Sequence, residues 1–138
     1  MPDIHLSSHN HSYTQTTHDI RITVVPEYLP EQSSTEANVY CYAYHITIEN
    51  LGAQTVKLID RHWKIFSAGE QIGEVAGPGV VGKQPLLQEG QSFNYTSGTE
   101  VRDPVGYMEG TYTFVGVDGT PFLVQIPRFH LLYPMAIN

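Results

Sequence analysis

The sequence predicts an all-β chain, an antiparallel β-sandwich of about seven strands. Three observations carry this expectation. Apolar and polar residues alternate at period two in run after run; Gly, Pro, Asn and Asp punctuate those runs at strand-length intervals; and no stretch holds an apolar stripe at helical spacing. A closed barrel with the same strand count is the alternative that these features leave open.

Taken in order, Met1 to Asp19 is rich in Ser, Thr, Asn and His and shows no period, which predicts a flexible N-terminal tail over residues 1–19 ahead of one domain over residues 20–138. Ile20 to Val24 alternates, and Pro26 and Pro30 are expected to end that run. Tyr40 to Glu49 is the clearest strand, with Tyr40, Tyr42, Tyr44, Ile46 and Ile48 on one face. Asn50-Leu51-Gly52-Ala53 turns the chain. From Val56 to Ile65 the apolar phase slips, since Val56 and Leu58 are even-numbered while Ile59, Trp63 and Ile65 are odd. That slip predicts a bulge between Leu58 and Arg61 that re-aims Arg61 and His62. Gln71 to Val75 leads into a glycine-rich stretch, and Gln91 to Ser97 and Tyr107 to Val115 follow as strands. Asp118-Gly119 predicts a hairpin to Phe122–Ile126, which Pro127 is expected to close. The expected core is Ile22, Val24, Tyr44, Ile46, Ile48, Trp63, Ile65, Tyr112, Phe114, Val124 and Ile126. With Cys41 as the single cysteine, a disulfide-pinned immunoglobulin domain is excluded, and a fibronectin type III or immunoglobulin-like sandwich without a disulfide is the expectation.

Composition bounds the function. The 138 residues, 41% hydrophobic, are about one domain's worth, and a net charge of −7 argues against counterion-driven binding of nucleic acid or anionic lipid. No apolar run reaches membrane-spanning length and no leader-like pattern opens the chain, so the expectation is a cytoplasmic protein with neither a nucleic-acid partner nor a membrane one.

One stretch has a chemical reading. Val75 to Pro85 holds glycines at a G-x-G-x-x-G spacing, Gly77, Gly79 and Gly82, followed at once by Lys83. Such glycines admit φ > 0 and can present bare N–H groups to an anion. The candidate phosphate-binding residues are therefore Gly77, Gly79, Val80, Val81, Gly82 and Lys83, joined by Arg61 and His62. A dinucleotide fold needs a helix after the motif, and Pro85 with Glu89-Gly90 leaves no room for one. The competing reading is that these glycines only build a tight loop between strands. One lysine and Arg61 cannot neutralise a pyrophosphate on an acidic chain, so magnesium would accompany such a ligand. No other cofactor, metal or catalytic residue is expected. His5, His9, His11 and His18 lack acidic or cysteine partners at metal-site spacing. Ser97, Asp103 and His130 could be assembled on paper into a hydrolytic triad, but no nucleophile-elbow pattern accompanies them. Glu27 with Glu31, and Glu100 with Asp103, read as solvated loop charges, and Cys41 as a packed residue.

Tyr28-Leu29-Pro30-Glu31-Gln32-Ser33, Tyr44-His45-Ile46-Thr47-Ile48-Glu49-Asn50, Arg61-His62-Trp63, Gly79-Val80-Val81-Gly82-Lys83-Gln84-Pro85, Tyr95-Thr96-Ser97-Gly98 and Met108-Glu109-Gly110-Thr111-Tyr112, in this order, resemble the ApaG family. The resemblance runs from about Ile20 to the C-terminus. It implies a fibronectin type III-like sandwich, a pyrophosphate-binding role for the glycine motif, and a loose link to cobalt and magnesium efflux. Related domains in eukaryotic multidomain proteins act in protein interaction, which implies a non-enzymatic module. Two departures stand out: Pro78 replaces a frequently acidic residue and Lys83 a common glutamate, each removing negative charge near the loop. The functional expectation is thus a small binding module holding a pyrophosphate-bearing ligand at the glycine loop, or else a protein–protein interaction domain in which that loop is purely structural.

Overall fold

The computed structural model describes residues 11–134. These form strands β1 Tyr13–Thr17, β2 Ile20–Tyr28, β3 Tyr40–Asn50, β4 Val56–Ser67, β5 Glu70–Pro78, β6 Leu86–Leu87, β7 Ser92–Val101, β8 Val105–Val115 and β9 Pro121–Leu132, with a short 3-10 turn at Pro30–Gln32. They build two antiparallel sheets, ordered β1-β2-β3-β7 and β5-β4-β8-β9, with β6 beside β4. The all-β sandwich of the sequence reading is what forms, and no helix among the described residues is long and apolar enough to cross a membrane.

Alternation explains the core. Ile22, Val24, Tyr44, Ile46, Ile48, Trp63, Tyr112, Phe114, Val124 and Ile126 are buried between the sheets, while Ile65 is only partly buried at the margin. The phase slip in β4 is real: Leu58 pairs with Phe114 and Asp60 with Thr113, leaving Ile59 as the extra residue. Odd positions of β4 from Arg61 onward therefore face inward. Asn50, almost fully buried, pins the turn that follows β3 by donating from Nδ2 to the Gln54 and Leu87 carbonyls and accepting from Gly52 N–H.

Three expectations are corrected. The N-terminal segment of residues 1–19 is not all tail, because Tyr13–Thr17 pairs along β2. Its threonines suit a pleated edge, and His18 and Asp19 both adopt φ > 0, closing a two-residue hairpin without the usual Asn-Gly signal. His5 and His9 lie outside the described residues, whereas His11 rests on Tyr13 and His18 on Phe122. Pro26 does not end β2, since β1 stops opposite Val24 and the strand edge beyond it needs no donor. Nor does Pro127 end β9: it sits in a bulge where Pro127 and Arg128 oppose the single residue Glu109 of β8, and the buried positions change from Val124 and Ile126 to Phe129 and Leu131.

The two flanks of the sandwich differ. On one, β1 and β9 close against each other through Tyr13 on Phe129 and through Gln125 N–H donating to Thr17 Oγ1. On the other, the edge strands β5 and β7 flank a groove.

Candidate functional site

The glycine stretch is the end of β5 and a two-residue hairpin. Val80 and Lys83 exchange both backbone bonds, at 2.8 Å and 2.9 Å, around Val81 at φ 44° and Gly82 at φ 79°. Positive φ at both central residues makes it a type I′ turn. Gly79 N–H donates to the Ile59 carbonyl at 2.8 Å, extending the pairing of β5 with the bulge of β4.

Each glycine has its own reason. A Cβ on Gly79, at φ 64°, would stand 2.3 Å from the Lys83 carbonyl oxygen; Gly82 has open space but a left-handed backbone. Gly77 lies under the Arg61 guanidinium, with Nη1 only 3.4 Å from where a Cβ would be. The Gly79 and Val80 amides, both in the candidate anion-binding stretch, are thus engaged within the chain, and both residues are buried. Val81, Gly82 and Lys83 are exposed at the tip. Replacing Gly79 by alanine should lower stability by about 2 kcal/mol, and Gly82→Ala by about 1 kcal/mol, because only the first adds a backbone clash to the strained φ. Urea melts of the two variants check the order.

Arg61 and His62, adjacent on β4, point to opposite faces. Arg61 reaches along the inner face, and its Nη1 donates to the Pro78 and Gly79 carbonyls, both at 3.0 Å. Among the described residues no carboxylate lies within ion-pair distance of it. His62 bonds Glu74 on the outer face, and this contact holds the Glu74 carboxyl below its ordinary range. The pair Arg61 and His62 therefore does not converge on the hairpin tip.

Arg61 instead faces phenols. Tyr95 and Tyr112 share a hydrogen bond between their hydroxyls, and burial raises the pKa of both, with the Arg61 charge acting the other way. Tyr44 is also raised by burial and lowered by Ser97 and Arg61. These hydroxyls stay neutral donors at physiological pH.

Ser97, Asp103 and His130 are not brought together. Asp103 accepts from Ser67 at 2.8 Å, His130 packs between Tyr13 and Tyr107, and Ser97 pairs across from Tyr44. The ladder does assemble one row that the sequence reading did not single out: on the outer face of the first sheet, His45 bonds Thr96 through Nδ1 and Glu27 through Nε2, each at 2.8 Å. It lies exposed on the sheet face, where the strand register sets Thr96 directly opposite His45 and Glu27 on the diagonal, paired with Ala43. Among the described residues no group of three or more His, Cys, Asp or Glu side chains is placed to hold a metal ion.

Comparison with known proteins places this geometry in context. Residues 30–116 match the ApaG domain family. The chain is 48% identical over 122 residues to Protein ApaG of Rhodospirillum centenum, covering 88% of this chain and 94% of that one. To Protein ApaG of Acidithiobacillus ferrooxidans it is 51% identical over 113 residues, covering 82% and 89%. It also resembles the crystal structure of an ApaA protein from Bordetella pertussis, with a TM-score of 0.82, 44% identity, and coverage of 86% of this chain and 97% of that one.

Proposed function

Because the chain belongs to the ApaG family, we propose that it is a non-catalytic binding module whose ligand is an extended segment of another protein, added as a strand to the open edge of β5. The observation that carries this reading is the edge itself. β5 pairs only with β4 among the described residues, is largely exposed along its length, and leaves Ile72 and Val75 50% and 42% accessible. An edge strand of this kind is a template for main-chain pairing. Because Gly79 N–H points to β4, the two-residue period turns the amides of Ala76 and Glu74 outward, and Pro78 falls where no inward donor is lost. Glu70 and Glu74 flank this edge on a chain of net charge −7, so the complementary segment is basic. A link to cobalt and magnesium efflux fits this reading through such a protein partner.

The hairpin is then structural, and its glycines serve the end of β5. A pyrophosphate with magnesium would have only the Val81 and Gly82 amides and the Lys83 ammonium to meet at the tip, fewer donors than a phosphate cradle offers.

A hexapeptide alternating lysine and valine, titrated into isotope-labelled protein, should shift and protect the Glu74 and Ala76 amides, and its glutamate–valine counterpart should not. Ala76→Pro removes one outward donor while sparing the ladder to β4, and should abolish the response without a large loss of stability. No shift along β5 with the basic peptide overturns the strand-addition reading. In the same sample, magnesium pyrophosphate should leave the loop amides in place; saturable shifts at Val81 and Gly82 would favour the anion-binding alternative.

A further inference from the structure

The flank between β5 and β7 is under-filled at one end. The inward positions of β5 there are Gly73, Val75 and Gly77, which pair with Ile65, Trp63 and Arg61, so two of the three carry no side chain. Across the gap, β7 offers Ser97 and Thr99, both small. What remains is a slot of about 170 Å³ floored by Trp63, Tyr44 and Met108.

Arg61 stands at one end of this slot. It is half-buried, lacks a carboxylate partner among the described residues, and spends Nη1 on two carbonyls, while Nη2 and Nε find no acceptor there. Nη2 and Nε keep access to solvent, so the guanidinium can meet an anion that enters the slot without giving up an ion pair within the described residues. The polar side chains lining the slot beside it are neutral hydroxyls, Tyr44, Ser97 and Thr99, with no carboxylate among them.

We propose that this slot binds a small organic carboxylate, its flat apolar body against Trp63 and Met108 and its carboxylate on Arg61 beside Ser97. The volume admits one ring and is below the roughly 300 Å³ from which sites for drug-sized ligands begin. A single guanidinium on an acidic chain matches a monoanion better than a phosphate dianion. The site is separate from strand addition, which uses the outward backbone of β5 and leaves its inner face free, so either can fail without the other.

Trp63 is the only tryptophan and reports on the slot directly. Benzoate should change its emission saturably, more weakly as salt rises, and should shift the Val75, Ser97 and Thr99 amides. Benzyl alcohol, the neutral counterpart, should bind about tenfold more weakly or worse, as the loss of one charge-assisted contact predicts, and phenyl phosphate should bind more weakly than benzoate because its second charge meets no second cation in the slot. Arg61→Met should cost benzoate about tenfold or more in affinity. Because Arg61 also holds the hairpin, Ser97→Leu provides a second variant that fills the slot and keeps the guanidinium; it should abolish benzoate binding with an unchanged melting temperature. Equal binding of benzoate and benzyl alcohol, shifts confined to other surfaces, or no saturable change at millimolar benzoate overturns the proposal.

Discussion

Trp63→Ala lowers the free energy of unfolding by about 3–5 kcal/mol, the range expected when a large aromatic is removed from a core that cannot collapse around the void. Trp63 is 3% exposed and packs on Tyr44, Tyr112 and Phe129, with ring centroids 5.5 Å, 6.4 Å and 5.9 Å away. These three partners come from β3, β8 and β9, so the indole ties the two sheets together and no single strand can shift to fill its space. Urea melts followed by far-UV circular dichroism measure the loss without relying on the missing fluorophore. A loss below about 1 kcal/mol would place Trp63 outside the core.

Gly110→Ala is expected to cost about 3 kcal/mol, by overpacking rather than by a void. Gly110 pairs with Trp63 across β8 and β4, the two central strands of the second sheet. A Cβ there would lie 2.2 Å from the His62 carbonyl oxygen and 3.2 Å from Trp63 Cα. Both obstacles are backbone, so relief requires the central strands to part and the ladder to lengthen. The change is local and apolar, and the same melts detect it. If Gly110→Ala unfolds at the wild-type urea concentration, the strands approach less closely here than described.

How much of this was legible depended on whether a residue's role is local. The slip at Ile59 could be read because Val56, Leu58, Trp63 and Ile65 display both phases within one run. The same kind of slip exists in β9, from Val124 and Ile126 to Phe129 and Leu131, yet Pro127 stands between the halves and reads as a terminator; only the bulge against Glu109 makes it tolerable. β1 escaped because an edge strand needs no apolar alternation, and because His18-Asp19 is an uncommon I′ turn. At the glycine stretch, the spacing announced positive φ but could not show where the amides go. Gly79 N–H finds Ile59 some twenty positions back, a partner supplied by the ladder and invisible in the motif. The slot was out of reach for a related reason: Gly73, Gly77, Ser97 and Thr99 leave a shared space only when two edge strands from different sheets are set side by side.

The ordering of the first sheet carries a consequence for how the chain reaches this state. β3 pairs with β7, for example Tyr40 with Val101, so this inner strand of the sheet waits for a neighbour that is made only after β4, β5 and β6. The β1–β2 hairpin and its pairing with β3 can form early, but one side of β3 stays open until most of the chain is available. Closing that long loop costs entropy before any of its contacts can repay it, which puts folding in the millisecond-to-second range typical of sandwiches rather than the microseconds of helical bundles. During synthesis the Tyr40–Asn50 segment therefore stays for a long interval with an unmet hydrogen-bonding edge, as β4 does until β8 is made, and both are stretches on which a chaperone would act.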